Sequence, residues 1–243
     1  MWSHQHAARS SILFSLLNRD SESPRRLKQP CSCSPRTKLV SIRAPHSVFK
    51  AASEVLVKTF RFVKHVPCFR GLPAGDQLRL VRSSWAPLLL LGMAQDCVDL
   101  DTVETQQPSL LHKILTHSAN RFQEPGVPAG DAEGIRMFVE RCRGLRISVR
   151  EYALLKGAVL FNPVVELECR DYVRALQREA ERALYEHVRT VHRGNTTSRF
   201  KRLRAALGVL RSMDTEAVSG LIFRPSLGTS SVDAHVLTLF YEQ

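Results

Sequence analysis

Apolar residues recur at helical spacing through most of the chain after residue 45. In residues 46–66 they lie three and four positions apart, with lysines on the opposite side, which predicts an amphipathic helix with one buried face. The apolar stripe comprises Val48, Ala52, Val55, Leu56, Thr59, Phe62, Val63 and Val66. Pro67 should end this helix, because proline has no backbone donor and pushes the preceding residue out of the helical region.

The stretch 67–92 predicts a turn followed by the central helix of a domain. Pro73 suits the first turn of that helix, and Asp76 places a negative charge near its positive end. Bulky residues at spacings of three and four line one face: Leu78, Val81, Trp85 and Leu88. Three more leucines at 89–91 make the helix apolar all round, as in the middle of a domain. Pro87 is expected to kink or split it.

The second half of the chain continues with helical patterns separated by breaks. Residues 98–104 alternate and predict a short strand pair or an extended loop, and residues 118–133 predict a flexible surface loop. Ser148 followed by Glu151 forms a capping box at the start of one helix. Further helices are predicted over 134–144, from 148 to a stop at 161–163, over about 165–191, from 200 to 213 with an end before Pro225, and over 233–240.

Several of these stretches together resemble a known family. The spacing of Phe69, Leu72, Pro73, Asp76 and Gln77, followed by Leu80 and Trp85, resembles the ligand-binding-domain signature of nuclear receptors. The stretches PCFRGLP, WAPLLLLGMAQD, PSLLHKIL and EYALLKGAVLFNP resemble the subfamily without a DNA-binding domain, that of DAX and small heterodimer partner, and lean towards DAX. The resemblance covers roughly residues 50–240. It implies an all-α fold, a three-layer antiparallel helical sandwich over residues 46–243.

Residues 1–45 are expected to form a disordered, basic tail, because Ser, Arg, Pro and His dominate there. Of the net charge of +12, residues 1–50 hold nine Lys or Arg against two acidic residues, and the rest of the chain holds 26 against 21. Such a tail indicates binding to nucleic acid, nuclear import or binding to an acidic partner surface. The alternative is a solvated, disordered leader without a binding role.

One apolar island interrupts the tail at residues 11–17. Leu13, Leu16 and Leu17 share one face of a two-turn helix and match the LxxLL box by which co-regulators enter the groove of a nuclear receptor. Burying three leucines contributes roughly 5–9 kcal/mol, and ordering a disordered segment takes back about 2–5 kcal/mol. A weak contact of micromolar class is therefore expected.

Two further motifs are candidate partner-binding segments. Pro67, Cys68, Phe69, Leu72 and Pro73 match the PCFxxLP repressor motif carried by DAX, although Phe69 and Leu72 could instead pack the helix junction of their own domain. An imperfect LxxLL-like box consists of Leu111, Ile114 and Leu115. Core packing is the favoured alternative for this box, because it lies inside the domain.

The resemblance also implies a co-regulator groove on this chain. Lys64 matches the lysine at the end of helix 3 that holds the C-terminal carbonyls of a co-regulator helix. Leu237, Leu239 and Phe240 belong to the amphipathic activation helix that closes the groove. The family has a glutamate where this chain has Thr238, so hormone-like recruitment of co-activators is in doubt.

These observations favour a transcriptional co-repressor of the nucleus and cytoplasm that binds other nuclear receptors, and with them co-repressor proteins. The alternative is a receptor regulated by a small lipophilic ligand. Dimerisation stays open, although Arg199, Lys201, Arg202 and Arg204 argue against close symmetric pairing through the late helix. Direct nucleic-acid binding is not favoured, since the tail has few aromatic residues.

Other classes of function find little support in the sequence. The nine histidines show no metal-ligand spacing, no Gly-rich phosphate loop or G-x-S-x-G elbow occurs, and neither an enzyme nor a cofactor is expected. The six cysteines include no C-x-x-C pair and are interpreted as reduced thiols. No apolar run reaches the length of a membrane span.

Overall fold

The computed structural model describes residues 38–105 and 126–242. Three short strands, β1 to β3, span Leu39–Ile42, Thr102–Thr105 and Val127–Pro128. The helices α1 to α7 span Pro45–His65, Pro67–Arg70, Ala74–Gln95, Ala129–Gly144, Val149–Leu160, Arg170–Val191 and Thr196–Arg211. The chain then passes through α8 (Thr215–Val218), a π-helical turn (Ser219–Phe223), α9 (Arg224–Leu227) and α10 (Val232–Tyr241).

Helix α3 lies in the middle of the domain, with α1, α4 and α5 packed around it. The four consecutive leucines at 88–91 are at most 1% exposed, as their all-round apolar pattern predicted. The buried face begins at Leu80 rather than at the predicted Leu78, which is half-buried. The helix is not split at Pro87, since it runs without interruption from Ala74 to Gln95.

Helix α1 confirms the predicted amphipathic helix and corrects one position of its stripe. Phe60 is fully buried, whereas Phe62 is 37% exposed. Side chains two positions apart in the sequence point about 200° apart around a helix, so only one of these two rings can face the core. Where apolar residues sit on both flanks of a stripe, periodicity does not decide which one is inside.

A small sheet extends the folded part of the chain beyond its predicted start. β1 pairs antiparallel with β2 on one side and with β3 on the other, and it buries Val40 and Ile42. Residues 38–45 therefore belong to the domain and not to the predicted tail. The pattern is hard to see in the sequence, because a four-residue strand shows only two inward positions.

The predicted loop over 118–133 is wrong in its second part. β3 occupies residues 127–128, and α4 begins at Ala129 rather than at residue 134. Pro128 is the N-cap residue, Asp131 lies in the first turn, and Ala132 is buried together with Ile135. Burial of this face outweighs the low helix propensity of the three glycines of α4, at positions 130, 134 and 144, which are exposed.

The outer helices follow the sequence closely. Ser148 and Glu151 form the predicted capping box of α5, which ends at Leu160, before the predicted stop. Helix α6 begins at Arg170, about five residues later than expected, and buries Val173, Leu184 and Val188. Of the stretch 98–104, for which a strand pair or an extended loop was predicted, only the part from Thr102 forms a strand, and it pairs with β1. The chain is thus predominantly helical, with one small sheet beside the helices.

Candidate functional site

Helix α10 packs against α1 through its apolar face. Ser231 is its N-cap and accepts a hydrogen bond from the Ala234 N–H at 3.3 Å. Val236 and Phe240, one helical turn apart, are buried, while the predicted site residues Leu237 and Leu239 are half-buried. The helix therefore docks by two anchors and leaves a partly apolar flank accessible.

The ring of Phe240 is the centre of this contact. It meets Phe60 of α1 edge to face, with ring centres 5.5 Å apart, and Phe69 of α2 at 6.5 Å. The ammonium group of Lys64 lies 4.7 Å from the centre of the same ring, within the range of a cation–π interaction. The structure thus brings together three predicted site residues, Lys64, Phe69 and Phe240.

A second attachment of α10 involves His235, which the sequence did not single out. Its Nε2 lies 3.2 Å from the Ser53 hydroxyl, and its ring stacks on Phe49 with centres 5.2 Å apart. Burial lowers the pKa of the His235 imidazole, and the Glu242 carboxylate offsets part of that effect. The one available signal was the position of His235 beside Val236, on the inner side of the helix.

The turn from Pro67 to Pro73 is packed into the domain. Phe69 is fully buried and Leu72 is 5% exposed, whereas Pro67 is exposed and Cys68 and Pro73 are half-buried. The Gln77 amide donates a hydrogen bond to the Leu72 carbonyl at 2.9 Å and fixes the turn to α3. Of the two roles left open by the sequence, packing of the domain's own helix junction is the one seen here.

Similarity to known proteins agrees with this arrangement of helices. The profile of the ligand-binding domain of nuclear hormone receptor matches residues 34–221. The chain belongs to the nuclear hormone receptor family. The residues discussed above are therefore part of a nuclear receptor ligand-binding domain, and the expected fold class is confirmed.

Individual relatives place this receptor in an atypical subfamily, as its motifs indicated. It is 42% identical over 221 residues to nuclear receptor subfamily 0 group B member 1 of Callithrix jacchus, and 41% identical to the proteins of that name from Sus scrofa and Homo sapiens. Each alignment covers 82% of this chain and 47% of the relative. The chain spans about half the length of these relatives.

Helix α10 has Thr238 at the position where the resemblance implies a glutamate. Thr238 is exposed, and its hydroxyl donates a hydrogen bond to the Ala234 carbonyl of its own helix at 2.9 Å. It carries no charge that could hold the N-terminal N–H groups of a bound helix. Lys64, which the resemblance implies for the opposite end of such a helix, lies over the Phe240 ring.

Aromatic rings fill the space between α1, α3 and the π-helical turn of this ligand-binding domain. Phe223 meets Trp85 at 5.7 Å and Phe49 at 5.8 Å, both edge to face. Gly220 allows the turn to approach β3, because a Cβ there would lie 2.8 Å from the Val127 Cγ1. The rings therefore occupy interior volume of the domain next to α10, whose His235 lies 5.7 Å from Phe223.

Two groups of predicted site residues lie outside residues 38–105 and 126–242. Leu13, Leu16 and Leu17 lie outside the described residues, as do Leu111, Ile114 and Leu115. Within residues 38–105 and 126–242 no three His, Cys, Asp or Glu side chains are grouped so that they could hold a metal ion. In the same ranges no helix is both long and apolar enough to cross a membrane.

Proposed function

We propose that this protein regulates transcription in the nucleus as a repressor of other nuclear receptors, and that it is also present in the cytoplasm. The proposal rests on two residues at the expected co-activator groove of this nuclear receptor domain. Thr238 bonds to its own helix, and Lys64 covers Phe240. A groove that lacks a carboxylate at position 238, and whose Lys64 ammonium lies over Phe240, holds the two ends of a co-activator helix poorly.

Repression then follows from competition. The LxxLL box of Leu13, Leu16 and Leu17 enters the co-activator groove of a partner receptor and occupies the volume that a co-activator helix would fill. Three buried leucines suffice for a contact of about micromolar affinity. The bound chain also brings co-repressor proteins to the partner's target genes.

The PCFxxLP segment is the second candidate for docking on the partner. Pro67 and Cys68 are accessible at least in part, but Phe69 and Leu72 contribute to the core. Insertion of these two side chains into a partner requires the turn to open and exposes the space beside Phe240. The tail box carries no such cost, so we propose that it dominates docking.

Titration of the whole chain into the ligand-binding domain of a partner receptor tests this assignment. Leu16→Ala together with Leu17→Ala should weaken binding at least tenfold, because about 3 kcal/mol or more of apolar burial is lost. Leu27→Ala, which changes a tail leucine outside the box, is the control and should bind like the unchanged protein.

Equal affinity of the double variant and the control would show that the tail box is not used. If binding persists in the double variant and disappears when Cys68 is replaced by arginine, docking occurs through the turn instead. Circular dichroism of each variant ensures that lost binding is not lost folding.

Regulation by a small lipophilic ligand is the competing function. The aromatic packing of Phe223 against Trp85 and Phe49 favours repression, because a ligand in that region would have to displace large buried rings. Native mass spectrometry of the purified protein distinguishes the two functions. A copurifying lipid at one equivalent would support the ligand-regulated receptor.

A further inference from the structure

A groove of about 520 Å³ opens between α6 and α7. Its lining contains two aromatic rings, two cationic side chains and two small residues: Tyr185, Phe200, Lys201, Arg204, Thr197 and Ala205. The rings of Tyr185 and Phe200 meet edge to face, with centres 5.2 Å apart. Tyr185 is 42% exposed, so the groove presents aromatic surface to solvent.

The two cations of this groove, Lys201 and Arg204, form no ion pair with any described residue. Four other arginines of these helices form ion pairs: Arg174 with Asp171, Arg182 with Glu179, Arg211 with Glu181, and Arg199 with Glu151. Among the described residues the remaining arginines of the two helices, at 170, 178, 189 and 202, form none. Among the described residues no carboxylate lies within ion-pair distance of Lys201 or Arg204, and α7 itself contains no acidic residue. The groove therefore keeps an uncompensated positive charge beside apolar surface.

A second groove, between α1, α3 and α5, makes the contrast clear. There Lys58 pairs with Asp96 at 2.9 Å, and Lys156 donates a hydrogen bond to the Gln95 side chain at 2.8 Å. The cations of that groove are already engaged within the domain. In the α6–α7 groove, a partner would have to supply the missing negative charge.

We propose that the α6–α7 groove binds an acidic segment of a partner protein. An apolar side chain of the segment inserts against Tyr185 and Phe200, while its carboxylates pair with Lys201 and Arg204. Aromatic and arginine side chains in such positions contribute most to protein interfaces, and complementary charge speeds association. This proposal concerns residues of α6 and α7, whereas the proposed repression concerns the LxxLL box, so the two can fail independently.

Two other occupants fit the groove less well. A symmetric contact with a second copy of the chain would bring Lys201 and Arg204 against like charges, which is unfavourable. Single-stranded nucleic acid needs a series of ring faces on which successive bases stack. Here Tyr185 is the exposed ring, and Phe200 is half-buried against its edge.

Fluorescence anisotropy with the full chain tests the proposal. The probe is a labelled peptide of about eight residues, in which Leu-Phe is flanked on each side by acidic residues. Lys201→Glu with Arg204→Glu should weaken binding at least fivefold, and Lys50→Glu with Arg150→Glu, a charge-matched change elsewhere, should not. Tyr185→Ser should weaken binding at least threefold, whereas Tyr172→Ser on the same helix should leave it unchanged.

Three outcomes would overturn the proposal. Equal losses in the charge-matched control would show diffuse attraction to a basic surface, and a peptide with Gly-Ser in place of Leu-Phe that binds equally well would exclude the apolar anchor. If a labelled oligouridine loses affinity in the groove variants while the acidic peptide does not, the groove binds nucleic acid. Should the charge reversal unfold the protein, Lys201→Gln with Arg204→Gln replaces it, with the same expected direction.

Discussion

Gly92 shows at the scale of a single residue how tightly α1 and α3 cross. A Cβ at this position would lie 2.4 Å from the Val55 Cγ1, closer than real Cβ atoms come to their neighbours. We expect Gly92→Ala to lower the free energy of unfolding by about 1–3 kcal/mol, because overpacking forces the helices apart. Urea unfolding followed by circular dichroism measures the change.

Gly134 provides the matched control for that substitution. It lies within α4, and a Cβ there would meet nothing within 4 Å. Gly134→Ala should therefore raise the free energy of unfolding by about 0.5–1 kcal/mol through helix propensity alone. Opposite signs for the two substitutions are expected, and a stabilising Gly92→Ala would contradict the close crossing of the helices.

The contribution of the ion pair between Glu151 and Arg199 to stability can also be measured with a single substitution. Glu151 is buried and accepts hydrogen bonds from two guanidinium nitrogens of Arg199, at 2.7 and 2.9 Å. Arg199→Met leaves a buried carboxylate without its partner and should cost about 3–5 kcal/mol of unfolding free energy.

Arg182→Met removes an exposed arginine that pairs with Glu179 within one helix, and it should cost about 1 kcal/mol or less. Thermal unfolding of both variants gives the comparison. Similar melting temperatures would mean that Glu151 and Arg199 contribute no more than a surface pair.

At the scale of an element, α10 is held by a residue that can titrate near neutral pH. His235 contacts Ser53 and Phe49 of α1. Burial lowers the pKa of its imidazole, and the charge of the Glu242 carboxylate offsets part of this shift. The unfolded chain therefore takes up this proton at higher pH than the folded one. The stabilisation is complete above the ordinary pKa of 6.5 and is lost as the pH falls towards the folded pKa.

We expect acidification from about pH 7.5 to 5.5 to weaken the docking of α10, in the range where imidazole titrates. His235→Gln keeps a hydrogen-bond partner for Ser53 but cannot titrate, so its stability should change less over this range. Urea midpoints at the two pH values measure the difference. Identical pH dependence of both proteins would show that His235 does not carry the effect.

At the scale of the whole molecule, two buried carboxylates connect distant elements. Asp76, at the start of α3, accepts hydrogen bonds from the N–H groups of Glu168 and Cys169, at 3.0 and 2.9 Å, just before α6. Burial by itself raises the pKa of Asp76, but these hydrogen bonds and Arg79 outweigh it, and the pKa is lowered. The pKa of Glu151 is lowered in the same way, with Arg199 and Ser148 overcoming burial.

Both groups bind protons at higher pH in the unfolded chain than in the folded one. Their stabilisation is therefore complete above their ordinary pKa values of 3.8 and 4.5, and it disappears as the pH falls through the folded values. We expect unfolding free energy to fall steeply below about pH 4.5. Asp76→Asn with Glu151→Gln should be less stable at neutral pH and should show a shallower acid decline.

The exposed pair of Asp171 and Arg174 supplies the comparison for this acid decline. Asp171→Asn should follow the pH dependence of the unchanged protein in urea unfolding, because Asp171 is largely exposed. If the double variant declined as steeply as the unchanged protein, other acidic residues would determine acid unfolding.

The sequence predicted those features that depend on neighbours along the chain. The stripe of α1, the buried leucines of α3 and the capping box of Ser148 and Glu151 each follow from spacing within one element. The ordered motifs around Phe69 and Trp85 identified the family. The tail box and its partners stay predictions, because they concern residues outside the described ranges.

Tertiary structure decided what depends on residues far apart in the sequence. Contacts across 48 or 182 residues, such as Glu151 with Arg199 and Ser53 with His235, leave no periodic signal in either segment. The choice of Phe60 over Phe62 likewise depended on which helix packs against α1. Local spacing fixes how a helix forms and which stripe is apolar, but the partner of each side chain is set by the packing of whole elements.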